Sequence, residues 1–136
     1  MSQLTRVLDL FRPNSRIYLP GSTGASLALL DVLAQEPDRA AGVHFLGCFV
    51  PGMNEFDPAA LHPRARVTTF MLPRAMHQSF TEGRVDLVPA SYYHAARFLE
   101  EQSYDVAIAQ VSPPDAQGWC SLGIASDFAP LAWPKA

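Results

Sequence analysis

Cysteine is scarce in this chain of 136 residues. Cys48 and Cys120 stand far apart, each beside apolar residues. Two such thiols make no disulfide framework and read as reduced core side chains. The histidines, His44, His62, His77 and His94, lack the spacing of a metal-binding pair. Charge is scarce too: Asp, Glu, Lys and Arg make up 17% of the chain, with a net charge of −3. There is no basic run beyond Arg64 and Arg66, so the chain has no electrostatic footprint for nucleic acid. No apolar stretch is long enough for a membrane-spanning helix. The opening Met1-Ser2-Gln3-Leu4-Thr5-Arg6 lacks the basic-then-apolar form of a signal peptide, which makes the cytoplasm the expected compartment.

What the chain does have is a globular composition, 49% hydrophobic. Its length predicts one domain over residues 1–136, burying roughly 65–70% of its unfolded surface without disulfides. So few charges on a small domain imply that part of the surface is covered by something else.

Leu4, Val7, Leu8 and Phe11 recur at helical spacing, and Pro13 closes that segment. Residues 16–19 read as a first strand and 20–24 as a turn. A helix follows over residues 25–35, ended by Glu36-Pro37-Asp38. An apolar run, 43–50, has strand length. Residues 54–62 read as a loop with one helical turn at 58–61, 66–72 as a strand, 74–82 as a short helix stopped by Gly83, and 85–88 as a strand. Ser91 is placed to cap a helix running to Gln102. Residues 104–111 form the last strand. Strands and helices thus alternate, with crossovers long enough for parallel pairing. The expected fold class is α/β, an open, mainly parallel sheet flanked by helices. After Gly123 no helix is evident that would cover the last strand, so the sheet reads as unfinished.

Four turns could carry chemistry. Gly21-Ser22-Thr23-Gly24 joins a strand to a helix. It reads either as an anion-accepting turn, with backbone N–H groups at a helix start, or as a plain turn with Thr23 as the helix cap. It is neither a dinucleotide fingerprint nor a phosphate-binding P-loop, since the third glycine and the lysine are absent. Val50-Pro51-Gly52-Met53-Asn54 offers close backbone approach at Gly52 and a donor and acceptor at Asn54, or is a loop shaped by Pro and Gly. Pro89 to His94 holds Tyr92 and His94, which line a pocket or pack with polar tips outward. The fourth stretch, Gln110 to Gly123, places Gln110, Ser112 and Asp115 at a strand's carboxyl end, and Gln117-Gly118 turns back into Trp119-Cys120-Ser121-Leu122. Glu100 and Glu101 read as a solvated helix face, and the order of elements suggests no Ser-His-Asp or Cys-His set.

Together these turns resemble the N-terminal part of the acetyl-CoA hydrolase/transferase family, which includes the 4-hydroxybutyrate and acetate CoA-transferases. The match is carried by V-S-P-P-D-A-Q-G-W-C-S-L-G, residues 111–123, where Val111, Ser112, Pro113, Asp115, Gly118, Trp119, Ser121 and Gly123 fit the family's wording. The Gly21–Gly24 turn, Glu82-Gly83-Arg84-Val85-Asp86 and Tyr104-Asp105-Val106-Ala107 support it. The resemblance implies the N-terminal half of a CoA-transferase-like fold. It also implies covalent catalysis in which a glutamate attacks an acyl-CoA thioester, and CoA thiolate then converts the acyl-glutamyl anhydride to a glutamyl-CoA thioester. A carboxylate or water resolves that intermediate.

In the family the nucleophilic glutamate lies in the C-terminal half. None of Glu55, Glu82, Glu100 and Glu101 sits in its context, so no catalytic residue is assigned. What carries over is a supporting wall. Gly21, Ser22, Thr23 and Gly24 would face the acyl or carboxylate group, with Met53 and Asn54 near it. Gln110, Ser112 and Asp115 would shape the cleft from the neighbouring strand end. Coenzyme A is implied as a substrate, with no tightly bound cofactor. The expected partners are small-molecule acyl-CoA and carboxylate, together with a second copy of the chain or a C-terminal domain or subunit. The alternatives are a non-catalytic module that binds a small carboxylate or CoA, and a vestigial truncated protein.

Overall fold

Side chains alternate across a strand, so each short strand sorts its residues onto two faces. In the computed structural model, which describes residues 3–136, five strands do this in register. Met1 and Ser2, the start of the opening stretch, lie outside the described residues. The strands are β1 (Arg16–Tyr18), β2 (His44–Leu46), β3 (Arg66–Thr69), β4 (Val85–Leu87) and β5 (Val106–Ala107). All pair in parallel, in the order β4-β3-β2-β1-β5. The expected open α/β architecture is therefore present, and its sheet is entirely parallel.

Ile17, Phe45, Val67, Val85 and Val106 are register partners and form one apolar row across the sheet. This row packs beneath α1 (Gln3–Leu8) and α2 (Leu27–Gln35) through Leu8, Phe11, Leu29 and Leu33. Phe11 meets Phe45 edge-on, with ring centroids 6.0 Å apart. Burial of each such side chain contributes about 1.5–3 kcal/mol. Between β3 and β4 lies α3 (His77–Thr81), which Gly83 terminates at φ +73°.

The opposite face is divided. Its row reads Ala107, Tyr18, Leu46, Thr68 and Asp86. The apolar part is covered by α4 (Tyr92–Glu100), through Ala95 and Leu99, and by α5 (Ala129–Ala132), through Ala129 and Ala132. The remainder stays polar: Thr68 Oγ1 bonds His44 Nε2 at 2.7 Å, and Arg66 pairs with Asp86 at 3.2 Å. Burial, reinforced by Arg16 and Arg66, holds His44 below the ordinary imidazole range.

Two sequence expectations change. The strands are shorter than their apolar runs, because Gly47, Cys48 and Phe49 leave β2 yet stay buried, Cys48 against one face and Phe49 against the other. The last strand does have cover, since α5 folds back onto the sheet and packs on α4. Cys120, expected in the core, is exposed, whereas Cys48 is buried.

Burial raises the Cys48 thiol to about 11, helped by the Asp127 carboxylate, and raises the Tyr104 hydroxyl to about 12. Burial also raises Tyr18, with Asp127 adding to the effect. These groups ionise more readily unfolded, from their ordinary values of 9.0 and 10.0. Their contribution to stability is therefore complete below about pH 9 and is lost as pH climbs toward the raised values. Thermal melts between pH 7 and 11 are expected to show a flat Tm up to about pH 9 and a fall above it. A Tm that holds to pH 11 would contradict this.

Candidate functional site

The edge strand β5 and its neighbour β1 connect to the rest of the chain across opposite faces of the sheet. From β1 the chain passes through α2 on the first face to β2, whereas β5 is reached from β4 by way of α4 on the second face. The loops leaving the carboxyl ends of β1 and β5 therefore diverge and leave a crevice. Open α/β sheets place ligands at such a switch point.

The crevice has a volume of about 420 Å³. Thr23 and Gly24 line it from the β1 side, and Gln110, Ser112, Ser121 and Ala125 from the β5 side. Residues 22–24 form one 3-10 turn, and Ser26, not Thr23, caps α2 by accepting from Leu29 N–H.

The turn is held tightly. Gly21 lies so close to the Cys48 carbonyl that a Cβ there would stand 2.7 Å from its carbon. Ser22 adopts φ +49°, a left-handed conformation uncommon for a residue with a side chain. Asn54 keeps it there. Its Oδ1 accepts from Ser22 N–H at 2.7 Å and Val50 N–H at 2.9 Å, and its Nδ2 donates to the Ser22 carbonyl at 3.1 Å. The amide of this buried side chain is thus engaged in joining the β1 and β2 loops. Gly24 N–H donates to the Gly21 carbonyl at 3.0 Å. Two of the N–H groups considered for an anion are therefore committed inside the protein, and the crevice presents hydroxyls and an amide side chain from Thr23, Ser112, Ser121 and Gln110.

The fourth turn is an exposed excursion between β5 and α5. Ser112 N–H donates to the Ser121 carbonyl and Ser121 N–H to Ser112 Oγ, clamping its base at 2.8 and 2.9 Å. At its tip Asp115 Oδ1 accepts from Gln117 N–H and Trp119 N–H, both at 2.9 Å, and Gly118 turns at φ +85°. The expected turn at Gln117-Gly118 is present, and the motif's polar residues build it. Trp119 is 76% exposed and Ile124 95%.

The structure thus divides the sequence candidates. It brings Thr23, Gly24, Gln110 and Ser112 together in the crevice. Met53 and Asn54 line a separate hollow of about 210 Å³ with Pro20, Ala25 and Phe49. Gly21 and Ser22 form the turn's entry, and Asp115 stands apart at the tip of the excursion. Ser121 and Ala125 were missed as lining residues. Ser121 was visible in the motif, but only the pairing with Ser112 shows that it turns inward. Ser91 caps α4 as expected, and Tyr92 bonds Asp127 instead of lining the crevice. Among the described residues no group of three His, Cys, Asp or Glu side chains could hold a metal ion, and no helix is long and apolar enough to cross a membrane.

No protein-family profile matches the chain. It is 25% identical over 117 residues to a 4-hydroxybutyrate coenzyme A transferase of Clostridium kluyveri, an alignment covering 85% of this chain and 27% of that protein. The chain therefore spans about a quarter of the length of the curated relative it matches. Its fold is similar to that of RipA from Yersinia pestis, with TM-score 0.77 and 18% identity over 99% of this chain and 34% of that one. It is also similar to a 4-hydroxybutyrate CoA-transferase from Porphyromonas gingivalis, with TM-score 0.62 and 14% identity over the whole of this chain and 30% of that one. The CoA-transferase resemblance in the motif is thus matched by sequence similarity along most of the chain and by a CoA-transferase-like fold.

Proposed function

We propose that this chain forms the N-terminal portion of a CoA-transferase or acyl-CoA hydrolase acting on short-chain acyl-CoA and carboxylates. The observation that carries this reading is the crevice at the switch point. The turn after β1 and the motif loop after β5, distant in sequence, form its two walls. In this reading Thr23, Gly24, Gln110 and Ser112 contact the acyl or carboxylate group. Gly21, Ser22 and Asn54 fix the position of the turn, and Asp115 fixes the excursion. Met53 borders the same turn from its other side.

The reaction needs a nucleophilic carboxylate, and none stands among the crevice residues. Glu55 accepts from Gly52 N–H and Ala75 N–H, which places it in a loop-bracing role. A glutamate from a C-terminal domain or companion subunit would attack the thioester, release CoA thiolate and form the acyl-glutamyl anhydride. CoA thiolate then displaces the carboxylate to leave glutamyl-CoA. The tetrahedral oxyanions require fixed donors, a role open to the Thr23 hydroxyl and the Gln110 amide, whereas the Ser112 hydroxyl already donates to the Pro113 carbonyl at 3.0 Å and shapes the wall. Coenzyme A is a substrate here and not a resident cofactor. A cytoplasmic setting and assembly with a second copy or companion subunit complete the proposal.

The test is co-expression with the C-terminal half of a CoA-transferase, followed by acyl-CoA incubation and mass spectrometry. The pair is expected to show CoA transfer and a glutamyl-CoA adduct on the companion, and the chain alone to show neither. Robust turnover by the lone chain would overturn the assignment of the nucleophile to the other half. Binding of CoA or acetate by calorimetry, with no turnover in the pair, would favour a binding module.

A further inference from the structure

The hollow of about 210 Å³ lies between α2 and the loop after β2, separate from the crevice. Leu27 and Leu30, three residues apart and so on one side of α2, line it from the helix, and Phe49, Met53 and Phe56 from the loop. The loop wall is braced on its own. Asn54 is tied to Ser22 and Val50, and Glu55 accepts from Gly52 N–H at 2.9 Å and Ala75 N–H at 3.2 Å. An apolar cavity of about 150 Å³ takes a benzene-sized group, so this one has room for a chain of about six heavy atoms. Leu27 and Met53 are 71% and 53% exposed, so apolar surface runs from the hollow out to solvent. Such surface around a concave site is a mark of binding.

Charge narrows what fits. The ionisable side chains lining the hollow are Asp31, one turn along α2 from Leu27, and Glu55, and no Lys, Arg or His lines it. Glu55 is occupied by its two backbone donors, whereas the exposed Asp31 carboxylate has no hydrogen bond or ion pair among the described residues. Two carboxylates without a lining counter-charge repel carboxylates and phosphates and attract a cation. Two are too few for a metal site, and the other walls are apolar.

We propose that this hollow binds a small ligand with a short apolar body and an ammonium end, the body against Leu30, Phe49 and Phe56 and the ammonium against Asp31. Glu55 adds to the negative potential that holds the cation. Leu27 and Met53 cover the part of the body nearest solvent. The ligand is opposite in charge to the carboxylate and acyl-CoA proposed for the crevice, so the two places select different molecules. The inference does not depend on the chemistry carried out in the crevice.

Pentylammonium chloride titrated into the isotope-labelled chain is expected to shift the amide signals of Leu27, Leu30, Met53 and Phe56, and the shifts to saturate. Sodium pentanoate should shift none of them. Propylammonium should bind about tenfold more weakly, because two methylenes are lost from the apolar contact. Asp31→Asn should weaken pentylammonium about threefold to fivefold, the size of an exposed ion pair, while Tm stays unchanged. Pentanoate binding as tightly as pentylammonium, equal affinities for the propyl and pentyl ligands, or an Asp31→Asn chain that binds as before overturns the proposal. So does the absence of shifts at these amides, and a dimer that Leu27→Ser dissolves would then give the hollow to a second copy of the chain.

Discussion

Gly21→Ala is expected to be the most damaging single substitution in the glycine turn, costing on the order of 3 kcal/mol or more. The reason is backbone against backbone. The added Cβ would meet the Cys48 carbonyl oxygen and carbon and the Phe49 Cα, none of which can rotate away as a side chain can. Relief would require the β1 and β2 loops to separate, which opens the buried layer holding Cys48 and Phe49. Gly24→Ala supplies the contrast. Its Cβ would find Ala125 and Pro20 at 3.5 and 3.6 Å, ordinary contact distances, so stability should change by less than about 0.5 kcal/mol. Urea unfolding of both variants makes the comparison. Equal stabilities would show that close approach is not what requires glycine at residue 21.

Asn54→Ala is expected to cost about 2–3 kcal/mol. It removes an acceptor shared by Ser22 N–H and Val50 N–H and the donor to the Ser22 carbonyl. It also frees Ser22 to leave its left-handed conformation, so the turn should lose its form as well as its stability. Asn54→Asp keeps both accepting interactions and loses only the donor, so it should fall between Ala and the unaltered chain. Denaturant midpoints, with amide exchange at Ser22 and Val50, test the order. A harmless Asn54→Ala would show that water replaces the side chain.

The alternation of apolar runs with helical periodicity was enough to read a parallel sheet, because crossovers of that length leave few other arrangements. The motif likewise marked the loop that forms one wall of the crevice. Other features were hidden for identifiable reasons. The role of Asn54 rests on a contact with Ser22, which is 32 residues away, and no local pattern encodes it. Strand ends were overrun because Cys48 and Phe49 remain buried after the ladder stops, and apolarity reports burial, not pairing. The α5 helix left no periodic signal because it is only four residues long. Pro130 sits in the first turn of that helix, where a missing N–H breaks no helical bond. Asp115 was expected to shape the cleft from the strand end, and the way its Oδ1 braces the tip of its own loop depends on the loop's conformation and not on residue type.

The uneven second face sets a direction for any further layer of protein. Over β3 and β4 it carries Arg66 and Asp86, each about half exposed and paired with the other, beside the His44–Thr68 bond. Stripping hydration from that corner would cost more than the ion pair returns, so the sheet repels an apolar neighbour there. At the opposite end Val111, Trp119 and Ile124 stand in solvent beside an edge strand with a single partner. An added layer would therefore meet less resistance at the β5 margin than over β3 and β4, and a charge placed at Ile124 would raise the cost there as Asp86 does at the other end.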